Sequence, residues 1–145
     1  MAITYTEGAA WVAVVGTDEL LRIDSSSGET SRIPVGFGPS GLAHGFGSIW
    51  ATMVGAGTVW RIDPKKRRIV DVIDVGSGPL GVAVGAGSVW VANHCDGTVS
   101  RIDPATNDVT ATIRVGHFPK WLAVGRQRAW VTVAATREYQ TPDCS

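Results

Sequence analysis

The sequence predicts an all-β fold, a β-propeller built of four-stranded antiparallel blades of about 40 residues, with three full blades and part of a fourth. Three observations predict it. Trp11, Trp50, Trp90 and Trp130 are separated by 39, 40 and 40 residues. Arg22-Ile23-Asp24, Arg61-Ile62-Asp63 and Arg101-Ile102-Asp103 recur at the same step, each arginine 11 residues after its tryptophan. Val35-Gly36, Val75-Gly76 and Val115-Gly116 recur likewise, each valine 15 residues before the next tryptophan. Three landmarks held in register define a repeat, and a repeat of this length carrying short strands is a blade.

Taken in order, the blades lie near residues 1–36, 37–76, 77–116 and 117–133, so that 1–133 is a partial propeller and 134–145 a non-repeat tail. Ile3-Thr4-Tyr5 starts the first as its A strand. The third period shows four runs, at 80–84, 88–93, 98–102 and 108–114, rich in Val, Ile, Thr and Trp and bounded by Gly, Pro, Asn or Asp. No apolar spacing of helical period and length occurs. The A strands should be innermost, because Gly41-Leu42-Ala43 and Gly81-Val82-Ala83 are small enough for a crowded axis. The tryptophan of each B strand should pack between adjacent blades. Asp63-Pro64 and Asp103-Pro104 start the C–D turns, with Asp capping through its side chain and Pro presetting φ; Asp24-Ser25 replaces them in the first copy. The first copy is one residue shorter between Asp24 and Val35, a difference assigned to its serine-rich turn. After Trp130-Val131-Thr132-Val133 the pattern stops. A ring closes with ~4–8 blades, so the open faces call for further blades or for self-association, a homodimer being favoured.

Composition bounds the partners. Thirteen basic residues balance thirteen acidic ones, so no net field favours nucleic acid or an anionic membrane. Eighteen glycines and seven prolines fit many strands joined by tight turns. Cys95 and Cys144 form no CxxC pair, and the expectation is that they build no disulfide framework and report no compartment. No basic segment followed by an apolar run opens the chain, so no signal peptide is visible, and no stretch approaches the ~18 apolar residues that span a bilayer. A soluble chain is expected, its location unassigned.

Val89-Trp90-Val91-Ala92-Asn93, Gly97-Thr98-Val99-Ser100, Ile102-Asp103-Pro104-Ala105-Thr106-Asn107 and Ala111-Thr112-Ile113-Arg114-Val115-Gly116 resemble the YVTN-type β-propeller repeat. The resemblance covers about residues 8–133. It departs at Arg22, Arg61 and Arg101, where the family usually has an apolar residue. The chain is also similar to the streptogramin-lyase propellers of bacteria. The resemblance implies a propeller that serves as a binding or scaffold module, a minority of members being enzymes.

Several motifs have plain structural readings. Gly36-Phe37-Gly38-Pro39-Ser40-Gly41 and Gly76-Ser77-Gly78-Pro79-Leu80-Gly81 match GxGxxG, but no helix follows to hold a pyrophosphate. They recur because the loop between blades recurs. The repeated arginines read as a repeated contact to a neighbouring blade's carboxylate or carbonyl. Lys65-Lys66-Arg67-Arg68 reads as a solvated turn, and His44 and Trp60 as structural. No Gly-x-Ser-x-Gly elbow is present.

The departures from the repeat carry the functional signal. B–C and D–A loops emerge on one face of a propeller. There the third copy has Asn93-His94-Cys95-Asp96, and the next loop has His117-Phe118-Pro119-Lys120-Trp121, with Trp121 in place of the small glycine of strand A. Asn93, His94, Cys95, Asp96, His117, Lys120 and Trp121 are the candidate ligand-binding residues. Imidazole, thiolate and carboxylate can also ligate zinc, but three adjacent residues do not easily converge on one ion, so no metal, cofactor or catalytic residue is assigned. The expected function is a non-enzymatic binding or scaffold module for a protein or small ligand. The alternative is a metal-dependent lyase- or lactonase-like enzyme using the face around His94 and His117.

Overall fold

The structure, a computed structural model, describes residues 1–14, 16–134 and 144. Its strands are β1 (Ala2–Thr6), β2 (Ala9–Ala13), β3 (Glu19–Asp24), β4 (Thr30–Pro34), β5 (Pro39–Gly45), β6 (Ser48–Met53), β7 (Thr58–Asp63), β8 (Arg68–Asp74), β9 (Pro79–Gly85), β10 (Ser88–Asn93), β11 (Thr98–Asp103), β12 (Asp108–Arg114), β13 (Leu122–Val124) and β14 (Ala129–Val131). They form three antiparallel four-stranded meanders, β1–β4, β5–β8 and β9–β12, and the hairpin β13–β14. Among the described residues there is no helix long and apolar enough to cross a membrane. Most of residues 134–145, the expected tail, lie outside the described residues.

Turn chemistry explains the meanders. In the first three A–B hairpins Glu7-Gly8, Phe46-Gly47 and Ala86-Gly87 occupy paired left-handed positions, with φ of 51 and 70°, 52 and 70°, and 49 and 73°. This is the two-residue turn whose twist matches that of the flanking strands. Each C–D turn is tied by an aspartate, as expected. Asp24 Oδ1 accepts from Ser26 N at 2.9 Å and Ser27 N at 3.1 Å. Asp63 Oδ1 accepts from Lys65 N at 2.9 Å and Lys66 N at 3.0 Å, and Asp103 Oδ1 from Ala105 N at 2.8 Å. The Ser26 hydroxyl, then the backbone N–H groups, hold the Asp24 carboxyl well below the usual carboxylate range, and the Lys66 N–H lowers Asp63. The exposed Lys65–Arg68 run sits in such a turn.

The missing residue of the first copy is not in its serine-rich turn. By register all three C–D turns have the same length: Asp24 N donates to Glu29 O at 2.9 Å, as Asp63 pairs with Arg68 and Asp103 with Asp108. In the second blade Arg61 pairs with Asp71 and Ile62 with Ile69, so Val70 is the extra residue of a β-bulge; Thr110 is its counterpart in the third. The first blade pairs Arg22 with Ser31 and Ile23 with Thr30, without a bulge. A bulge adds one residue to one strand and leaves the turn unchanged.

The inner strands stand side by side. A Cβ on Gly41 would overlap the carbonyl oxygen of Leu80, and one on Gly81 that of Lys120. Thus β5 meets β9 and β9 meets β13 at distances only glycine permits. The core lies between blades. Fully buried Trp11 shares one cluster with Ile49, Ala51, Met53 and Ile62 of the second blade, and Trp50 shares another with Val89, Val91 and Ile102 of the third. Trp60 is half-buried and packs onto Gly36 of the preceding blade. Trp90 faces the hairpin β13–β14 across an apolar gap of about 140 Å³.

Of the repeated arginines, expected to contact a neighbouring blade, Arg61 does so, whereas the bonds of Arg22 and Arg101 shown by the structure stay within their own blades. Arg61 Nε donates to Ser48 Oγ at 2.8 Å, and its Nη1 donates to Pro104 O at 2.6 Å and Asn107 Oδ1 at 2.7 Å in the third blade. Its guanidinium lies 4.7 Å from the Trp50 ring centroid. Arg101 repeats the bond to serine, at 2.8 Å from Ser88 Oγ. In the first blade Ala9 takes the serine position, and the buried Arg22 Nε has no partner among the described residues. Ala9→Ser should therefore supply that acceptor and raise stability by about 1 kcal/mol, a Tm rise of roughly 2–4 °C in thermal unfolding.

Candidate functional site

Loops of successive blades interlock on one face. Val54 N donates to Gly38 O at 2.9 Å, and His94 N donates to Gly78 O at 2.9 Å. On the far side of each B–C loop, Val75 N donates to Gly57 O at 2.9 Å and Val115 N to Gly97 O at 3.0 Å. The B–C loops of the second and third blades are thus each clamped between the D–A loops before and after them. This lattice of backbone bonds places the third blade's unusual residues.

Within that lattice the candidate residues divide into three groups. His94 and His117 are brought together around Phe118, whose ring centroid lies 5.2 Å from that of His94 and 6.5 Å from that of His117. The His94 ring is buried and its Nδ1 lies 3.2 Å from Pro119 O; His117 is exposed. Asn93 and Asp96 face the preceding loop instead. A Cβ on Gly76 would stand 2.7 Å from both the Asn93 amide and Asp96 Oδ2, and Asp96 Oδ2 accepts from Ser77 N at 2.7 Å. Lys120 and Trp121 belong to the last hairpin. Both backbone N–H groups are taken by Thr132, at 3.1 Å each, and the Lys120 ammonium lies 5.8 Å from the Trp121 ring centroid.

Two expectations need correction. Cys95 and Cys144, 49 residues apart in sequence, are joined by a disulfide, although no framework was expected of them. Their Cα atoms are 5.3 Å apart, within the normal range for a bridge. Cys95 therefore offers no thiolate to a metal or substrate. Asn93 is fully buried rather than presented at the surface, its amide nitrogen donating to Thr98 Oγ1 at 3.0 Å and Ser100 Oγ at 2.8 Å within its own sheet, while its Oδ1 has no partner among the described residues. Among the described residues no group of three or more His, Cys, Asp or Glu side chains could hold a metal ion.

Two features were not among the candidates. Phe118 takes φ of 49° where Gly38 and Gly78 take 75 and 65°. A phenylalanine in that left-handed position is strained and must be held by its surroundings. The sequence signal was available: the other copies have glycine there. The second feature is an open groove of about 440 Å³ on the same face, lined by Val54, Gly55, Ala56, Gly57, Asp74 and Gly76 among others. Its volume is in the range of small-molecule sites. Its walls are backbone and small side chains, so a ligand would meet peptide groups and the Asp74 carboxylate.

The fold and this face define a β-propeller repeat protein, and solved structures agree. The chain is similar to a streptogramin B lyase (TM-score 0.79, 15% identity, covering 94% of this chain and 55% of that one). It is similar to a catalytically inactive virginiamycin B lyase from Staphylococcus aureus with quinupristin (TM-score 0.76, 17% identity, 86% and 44%). It is equally similar to the WD40 repeats of RRP9 (TM-score 0.80, 14% identity, 90% and 43%). At these identities the likeness is one of fold alone. The chain spans about half the length of the structures it matches. No protein-family model and no curated protein matches it.

Proposed function

We propose that this chain is a non-enzymatic propeller module of the YVTN type that presents its B–C and D–A loop face to a protein or small ligand, in a ring completed by self-association or by further blades. One observation carries the reading: three of the candidate side chains of the face are spent on holding it together. His94 is buried with Nδ1 near Pro119 O, Asp96 binds the Ser77 N–H, and Cys95 is in a disulfide. What remains presented is His117 and Lys120 at the rim, and the groove beside Asp74. A rim and an open groove of this kind suit recognition of a ligand. The disulfide supports an oxidising compartment as its place of action.

Metal analysis and thermal unfolding with zinc, magnesium or calcium test this against the lyase- or lactonase-like alternative. The expected result is no bound metal and no change in Tm. Stoichiometric metal, or a rise of several degrees on adding one, would overturn the reading, because a ligand of the native state stabilises in proportion to ln(1 + [L]/Kd).

A further inference from the structure

The two open edges of the chain carry complementary positions of the repeat junction. At each internal junction the leading blade contributes the B-strand tryptophan, and the second and third blades also a glycine of strand A, where the first has Thr6. The following blade contributes the residues of its A, B and C strands that receive them. Trp11 is received by Ile49, Ala51 and Ile62, and Trp50 by Val89, Val91 and Ile102. Gly45 and Gly85 lie against Val84 and Val124. By the repeat register the receiving positions of the first blade are Ala10, Val12 and Ile23, with Tyr5 at the place of Val84 and Val124. The counterparts of the first three are buried, whereas these are only half-buried; Tyr5 is 57% exposed where Val84 and Val124 are half-buried and His44 is exposed, with Ile3 beside it at 66%. At the other edge Trp130 stands at the place of Trp11 and Trp50 and is 64% exposed. Gly125 stands at the place of Gly45, where an added Cβ would meet only Arg128 O at 3.9 Å.

We infer that a second copy of this chain docks head to tail, its first blade receiving Trp130 and its Tyr5 seating against Gly125. This rests on the reading that the ring is completed outside one chain, and it names the partner. The chain spans 55% of one matched propeller, so two copies carry the length of one. Each chain contributes four inner strands, β1, β5, β9 and β13, and two copies bring twice that number, within the ~4–8 at which propellers close. Closure by a two-fold axis along the channel satisfies both edges, whereas an unclosed head-to-tail contact would grow into filaments. Trp121 stands where Gly41 and Gly81 let the next inner strand approach, so this seam is wider at that level than an internal junction, and the indole becomes buried across it.

Cysteine pairing of Tyr5→Cys with Gly125→Cys tests the arrangement in the full chain. At the internal junctions the matching Cβ positions lie 3.1 and 2.9 Å apart, close to bridging distance. Light scattering of the unmodified chain should give the mass of two copies. An equimolar mixture of the two single variants should cross-link under mild oxidation, while neither does so alone. Trp130→Ala should raise the dimer dissociation constant about 30-fold or more, as truncation of a buried interface tryptophan does. A single-chain mass at ~100 μM, far above the usual Kd of a specific interface, would overturn self-completion. Cross-links within one single variant would overturn the head-to-tail geometry while keeping self-association. Neither result bears on the loop face, which the metal measurements test separately.

Discussion

Trp50→Ala is expected to destabilise the chain by about 3–5 kcal/mol, read as a shift in the denaturant midpoint at unchanged m-value. The indole is fully buried between the second and third blades, its Nε1 donates to Gly45 O at 3.1 Å, and the Arg61 guanidinium lies over its ring. Alanine would leave a cavity bounded by Val59, Ile73 and Val89 and would remove the platform under an arginine that bridges two blades. Trp130→Ala supplies the internal control. The same residue type at the same repeat position is 64% exposed in one chain, and its loss should cost no more than about 0.5 kcal/mol below the concentration of dimer formation. Equal effects at both positions would mean that the repeat junction is not where the stability resides.

Gly41→Ala should cost about 2–4 kcal/mol, although it adds one methyl group. The new Cβ would overlap the Leu80 carbonyl oxygen, which is backbone and cannot swing aside. It would also stand 2.9 Å from Thr52 Oγ1. That hydroxyl accepts from Gly41 N at 2.7 Å and donates to Leu80 O at 2.7 Å, so it links neighbouring inner strands. Forcing β5 and β9 apart breaks this bridge and opens the junction below it. Gly125→Ala, on the open edge, should change the stability of the single chain by less than about 0.5 kcal/mol. Thermal unfolding of the two variants at low concentration checks the contrast. A neutral Gly41→Ala would show that the inner strands can spread at no cost.

The candidate face was partly legible. His94 and His117 could be placed on one face because loop geometry repeats with the blade, and the structure puts both beside Phe118. Phe118 itself shows in the sequence only when the copies are aligned, as a phenylalanine where glycine recurs. The burial of Asn93 could not be read from its position at the end of a strand, because its outcome depends on Thr98 and Ser100 across the hairpin. The groove beside Asp74 was invisible, since it is formed by what glycines leave out.

The sequence by itself determined the blade: its strands, its turn residues, the glycines of the axis and the tryptophan of each junction. These are specified by local conformational preference and by a repeat that states them three times over. Only the tertiary structure decided what has no copy to compare with. The Cys95–Cys144 bridge joins a blade to a segment outside the repeat. The bulge at Val70 and Thr110 lengthens a strand without altering a turn. Trp130 is exposed where Trp11 and Trp50 are fully buried, because no following blade stands across from it. A residue's burial is set by what stands across from it, and no residue carries that information alone.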